Sequence, residues 1–146
     1  MYFEDFDLDM HIDIPEVTID RERMIEFARV YDPLPLHYDD EYARGTRFGR
    51  VIAPGVMSFM SVWARFVEMN MFGDELVAGK STKIEWYKPV YAEDVLTGKM
   101  TVSALTERNA YNGIVETTLK VTNQHGEIVL SNVTESVVKR KTAKKT

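Results

Sequence analysis

The sequence has no cysteine, which excludes a disulfide framework, a thiolate nucleophile and a thiolate metal site. It has no long apolar run either. The longest, Val56 to Ala64, is broken by Ser58 and Ser61 and stops at Arg65, far short of the roughly 20 residues a bilayer requires. Contact with a membrane is not expected. Positive charge is scarce outside one place: of 18 basic residues against 23 acidic ones, five crowd into Lys139-Arg-Lys-Thr-Ala-Lys-Lys145. Residues 1–138 therefore carry 13 basic and 23 acidic side chains, a charge of -10, the wrong sign for gripping a nucleic-acid backbone. Acids also occupy the start, Met1-Tyr-Phe-Glu-Asp-Phe-Asp-Leu8, where a signal peptide carries a basic region and then an apolar run. A cytoplasmic protein is the expectation.

What remains is a chain of 146 residues, 45% hydrophobic and 28% charged, long enough for one core and too short for two. We read residues 1–140 as a single domain and residues 141–146 as a basic tail without order. Asp20 is suited to cap a helix over Arg21–Tyr31, with Met24, Phe27, Ala28 and Tyr31 on one face and Glu22, Glu26 and Arg29 on another. Asp39 to Arg44 adds a short turn of helix before Gly45. From Val56 to Met71 the apolar residues leave no wide polar face, which predicts a long helix surrounded by protein. After Gly73 the period becomes two. Leu96 to Ala104 and Val115 to Thr122 alternate as half-buried strands, Ser81 to Tyr87 supplies another, and Asn123-Gln-His-Gly126 turns the chain into a last strand ending near Val138. One buried helix and several antiparallel strands predict an α+β fold in which the sheet curls around the helix. The free sheet edges would be covered by a second copy, hence a homodimer.

The chemistry gathers in Tyr31-Asp-Pro-Leu-Pro-Leu-His37 and Ile52-Ala-Pro-Gly-Val-Met57. Asp32 and His37 stand five apart across Pro33 and Pro35, so both lie on a loop whose shape the proline rings restrict. Such a loop can hold two proton-handling groups in one geometry. Gly55 heads the long helix, where an unpaired amide and the positive helix end suit an oxyanion. Arg44, Arg47 and Arg50 form a cationic cluster just before it, which reads either as a phosphate contact or as solvated loop charge. His11 and His125 show no ligand spacing with His37, so no metal is expected.

Across nearly its whole length, from Tyr2-Phe-Glu-Asp-Phe6 to Lys139-Arg-Lys141, the chain resembles the MaoC-like dehydratases of the hotdog fold. Asp32-Pro-Leu-Pro-Leu-His37 is similar to the family's Asp-x-Asn-Pro-x-His signature, Ala53-Pro-Gly55 to its oxyanion corner, and Trp86-Tyr-Lys-Pro-Val-Tyr-Ala-Glu-Asp94 to its entry into the long strands. The resemblance implies a hotdog fold, a curved antiparallel sheet wrapped around a long central helix. It also implies an R-specific hydratase or dehydratase that adds water to trans-2-enoyl thioesters. Asp32, His37 and Gly55 would be catalytic. Tyr31, Leu34, Met57, Met60, Trp63, Arg47 and Arg50 would line the substrate site, with coenzyme A or phosphopantetheine as part of the substrate and no separate cofactor. Two positions depart from the pattern: Leu34 replaces the signature Asn, and a serine of the hydratases would fall near Trp63. These keep two alternatives open, an acyl thioesterase of the same fold and a noncatalytic acyl-binding subunit paired with a paralogue.

Overall fold

The structure, a computed structural model, describes residues 1–141; the remainder of the expected tail, residues 142–146, lies outside the described residues. Asp20 opens α1, Arg21–Tyr31, by accepting a hydrogen bond from the Arg23 amide, as a short acidic side chain does at a helix start. Met24 and Ala28 are fully buried. Tyr31 departs from the expected apolar face: it is 74% exposed and touches Phe27, ring centroids 5.0 Å apart, because the helix ends at this residue. Asp39 caps the short α2, Asp40–Arg44, through the Tyr42 amide. The long helix α3 runs Gly55–Glu68 and is shorter than its apolar run, since Asn70 enters the left-handed region at φ 52° and turns the chain.

Five antiparallel strands follow the order β1-β3-β4-β5-β2: β1 His11–Thr18, β2 Leu76–Trp86, β3 Val95–Glu107, β4 Asn112–Thr122 and β5 Ile128–Lys139. Their alternation matches the period read from the sequence, with Leu96, Met100 and Val102 of β3 and Val115, Leu119 and Val121 of β4 buried. The hairpin between β4 and β5 turns at Gly126, φ 76°, and Asn123 Oδ1 accepts from the amides of His125 and Glu127. β1 is a strand the sequence did not announce. Pro15 interrupts its pattern, and is tolerated because β1 is an edge strand whose register slips between Ile14 and Val17.

Helix α3 lies on β1 and β3. Gly98 permits the approach: a Cβ added there would stand 2.9 Å from Val62 Cγ1, 3.0 Å from Leu119 Cδ1 and 3.2 Å from Ile14 Cδ1. Met57, Phe59, Val62 and Phe66 fill the space between helix and sheet. The result is the α+β hotdog architecture implied by the resemblance. One expectation is corrected, because the helix is not surrounded in a single chain. Val56, Met60 and Val67 are 47%, 46% and 55% exposed, and β2 is exposed along nearly its whole length at the opposite edge from β1. Five strands cover one face of α3 and no more. Among the described residues no helix is long and apolar enough to cross a membrane.

The two ends of the described chain are tied together. Glu4 accepts from the Lys141 amide at 2.7 Å and from Arg140 Nε at 2.9 Å, and Lys141 Nζ donates to Asp5 at 2.6 Å.

Candidate active site

Pro33 disfavours helical backbone at the residue before it, and Asp32 accordingly caps α1 with φ -152° and ψ 69°. Its amide still donates to Ala28 at 2.9 Å, which ties the carboxylate-bearing residue to the last turn of a packed helix. Leu34 supplies the bend through its backbone alone: its N–H donates to Asp32 O at 2.7 Å and its carbonyl accepts from His37 at 2.9 Å. The missing signature Asn is thus compatible with a closed loop. Pro35–His37 forms a single 3-10 turn that delivers His37 into the interior, 6% exposed.

Two bonds lock the segment before α3 onto this turn. The Ile52 amide donates to Leu36 O at 3.2 Å, and the Ile52 carbonyl lies 2.8 Å from His37 Nδ1. A carbonyl only accepts, so Nδ1 carries a proton, and whenever the ring is neutral its lone pair is on Nε2. That Nε2 stands 3.2 Å from Asp32 Oδ2, which is 41% exposed to solvent while the imidazole is buried. One more residue along, the Ala53 amide donates to Val90 O at 2.7 Å, fixing the Pro54-Gly55 corner to the segment that follows β2. Gly55 begins α3, and among the described residues its amide has no acceptor.

These groups meet in a cleft of about 440 Å³ lined by Asp32, His37, Arg47, Gly55, Ser58 and Trp86, among others. A second recess of about 450 Å³ opens on the far side of Asp32 and is built mainly from apolar groups of Phe27, Tyr31, Pro54, Val56 and Met60. Asp32 and Val56 border both. The arrangement can hold a water against both the carboxylate and the imidazole nitrogen, in a cleft that the helix-end residue Gly55 also lines. No group of three His, Asp or Glu that could hold a metal occurs among the described residues.

The ten residues singled out from the sequence divide by place. Asp32, His37, Gly55 and Arg47 line the cleft, and Tyr31 and Met60 line the neighbouring recess. Met57 is core, 8% exposed. Leu34 is half-exposed and contributes through its backbone, and Arg50 lies over the Tyr91 ring at 4.1 Å. Trp63 does not reach the cleft. It sits between Phe59 and Phe66, centroids 5.6 and 5.2 Å away, and borders a separate recess of about 80 Å³ near Ser136. A side chain eight positions after Gly55 points along a helix that has already left the corner. The sequence reading missed Ser58, buried at 1% and facing the cleft three residues after Gly55, and Trp86. A lone hydroxyl one turn into an apolar helix was the available signal for the first; Trp86 carried none, since its place depends on strand register.

Residues 5–140 match the model of the family described as MaoC like domain. The chain is 25% identical over 141 residues to the uncharacterized protein YdeM of Bacillus subtilis strain 168, covering 96% of this chain and all of that one. Among solved structures it superposes with a TM-score of 0.92 on a monoamine oxidase regulatory protein from Archaeoglobus fulgius, at 25% identity over 97% of this chain and 95% of that one. It also superposes with a TM-score of 0.76 on the HadBC complex of Mycobacterium tuberculosis, a 3R-hydroxyacyl-ACP dehydratase. There the identity is 28% over 90% of this chain and 98% of that one.

Proposed function

Since the chain belongs to the MaoC-like domain family, we propose that it is a hydratase/dehydratase adding water reversibly to a trans-2-enoyl thioester, linked to coenzyme A or an acyl carrier, to give a (3R)-3-hydroxyacyl thioester. The observation that carries this reading is the placement of His37, whose Nδ1 lies 2.8 Å from Ile52 O while Nε2 faces Asp32 Oδ2 at 3.2 Å.

Water is a poor nucleophile, and its addition at the β carbon drives electron density onto the thioester oxygen. Both difficulties are met within one cleft. The free lone pair on His37 Nε2 takes a proton from water while Asp32 accepts the water's other hydrogen and aims its oxygen. As the C–O bond forms at the β carbon, the alkene pair shifts toward the carbonyl oxygen, where the Gly55 amide and the positive end of α3 stabilise it. A donor of this kind is worth roughly 10² to 10³ in rate, about 2.7 to 4 kcal/mol. The dyad then returns a proton to the α carbon, which completes the addition and restores the resting state.

The two recesses suit the two halves of such a substrate. The apolar recess of Phe27, Tyr31, Val56 and Met60 accepts the acyl chain, and Arg47 in the cleft of Asp32 and His37 meets a phosphate of the carrier arm. The uncovered α3 face and the free β2 edge favour a homodimer or a pair with a paralogue. Incubation with crotonyl-CoA is the test. The expected outcome is loss of the enoyl ultraviolet absorbance with no free thiol released; thiol release would instead assign a thioesterase, and no turnover of short, long or branched enoyl thioesters would overturn the hydratase reading.

A further inference from the structure

Trp86 is the last residue of β2 and lines the same cleft as Asp32, His37 and Gly55. Its indole rests on the first residue of α3. A Cβ built on Gly55 would lie 2.5 Å from Nε1, 2.5 Å from Cε2 and 2.9 Å from Cζ2, so the part of the ring nearest the helix start includes the nitrogen that carries the N–H. Only glycine leaves room for that approach. The polar tips of the next two residues are engaged, Tyr87 with Glu85 and Ser131 and Lys88 with Glu127. The Trp86 N–H has no acceptor among the described residues, and the residue is 49% exposed on the cleft wall.

The cleft thus holds two N–H donors without acceptors, the Gly55 amide and the Trp86 indole. Since the amide nitrogen lies two bonds from the position of that Cβ, the two nitrogens are within about 5 Å of one another. Two donors at that separation can both reach one oxygen at about 2.9 Å. An oxygen that gains negative charge has lone pairs for two donors, and stabilising it with a pair of fixed hydrogen bonds is the strongest single lever in acyl chemistry. Indole suits the second position because it donates only, carries no charge and does not compete for the proton moved by His37.

We propose that Trp86 Nε1–H, together with the Gly55 amide, donates to the carbonyl oxygen of the bound thioester and makes Trp86 a catalytic residue of this chain. The assignment rests on the hydratase reading for its substrate class. Trp86→Phe keeps an aromatic ring over Gly55 and removes the donor.

Two measurements on the full chain test it: steady-state hydration of crotonyl-CoA, and the red shift in absorbance of bound 2,4-hexadienoyl-CoA, which reports polarisation of the carbonyl. The expected result for Trp86→Phe is kcat lower by about tenfold or more, KM within about twofold, and a smaller red shift. Unchanged kcat, or a raised KM with kcat retained, would overturn the proposal while leaving the hydratase reading in place. If the natural chain shifts the dienoyl probe, Trp86→Phe lessens the shift and no enoyl thioester is hydrated, the hydratase reading falls and the donor stands. Absence of both turnover and shift in the natural chain removes both. Should Trp86→Phe fail to fold by circular dichroism, 3-benzothienylalanine at position 86, which replaces N–H by sulfur at nearly the same shape, supports the same readings.

Discussion

His37 Nδ1 and the carbonyl oxygen of Ile52 are 2.8 Å apart across fifteen residues of chain, and this bond decides what the other ring nitrogen can do. It places a proton on Nδ1, so that Nε2 is the nitrogen left to exchange one, and it aims that nitrogen at Asp32. The same bond satisfies a carbonyl in the wall of a partly buried corner. Catalysis and stability are therefore separable at this residue. His37→Asn places an amide N–H near the position of Nδ1, keeps the Ile52 partner and removes the base. We expect its melting temperature to stay close to that of the natural chain while crotonyl-CoA hydration falls at least about a hundredfold. His37→Leu should lose both activity and about 1 to 3 kcal/mol of stability, the cost of leaving a buried carbonyl unpaired. Equal stability of the two variants in urea would show that the Ile52 bond carries no weight.

Gly98 sets the distance between α3 and the sheet. Adding one methyl there forces Val62, Leu119 or Ile14 to move, so Gly98→Ala should destabilise by about 1 to 3 kcal/mol, the usual range for overpacking a core. Gly79 has nothing within 4 Å of the corresponding position, and Gly79→Ala should stay within about 0.5 kcal/mol. Chemical denaturation of the two variants side by side checks the claim.

Acid should loosen the junction of the chain ends. The Lys141 amide, and after it the Arg140 guanidinium, holds the Glu4 carboxyl below the usual carboxylate range against an opposing effect of burial. A carboxyl depressed in the folded state contributes stability that is present in full above its unfolded value, about 4.3, and is lost as pH falls through the lower folded value. Thermal melts from about pH 6 down to about pH 3 should therefore lose less stability in Glu4→Gln than in the natural chain.

The exposed Val67 on α3 should be covered in solution by a second chain. Val67 lines neither the cleft of Asp32 and His37 nor the recess beside Asp32. We expect sedimentation to give a dimer for the natural chain and a shift toward monomer for Val67→Glu. A monomer at micromolar concentration in the natural chain would contradict this.

The strands β3, β4 and β5 were legible because each alternates apolar and polar residues over many positions, and α1 because Asp20 and the face of Met24 and Ala28 mark it. β1 was hidden by Pro15 and by its bulge, features an edge strand tolerates and a reader of pattern discounts. Along α3 the apolar residues told how much surface wants burial, but not how much of it one chain can cover. Val56 and Val67 are as apolar as Val62, and only their angle around the helix separates exposed from buried.

By itself the sequence determined the spacing of Asp32, His37 and Gly55, the proline-restricted loop that carries two of them, and the helix end that carries the third. These are local, since proline rings and helix starts act on their immediate neighbours. Tertiary structure decided the proton on His37, because Ile52 meets the ring only when the two segments pack. It also put Trp86 at the mouth of α3 and took Trp63 away from it, for the position of a side chain across a sheet depends on strand register and on where a helix crosses, and neither is written in any short run of residues.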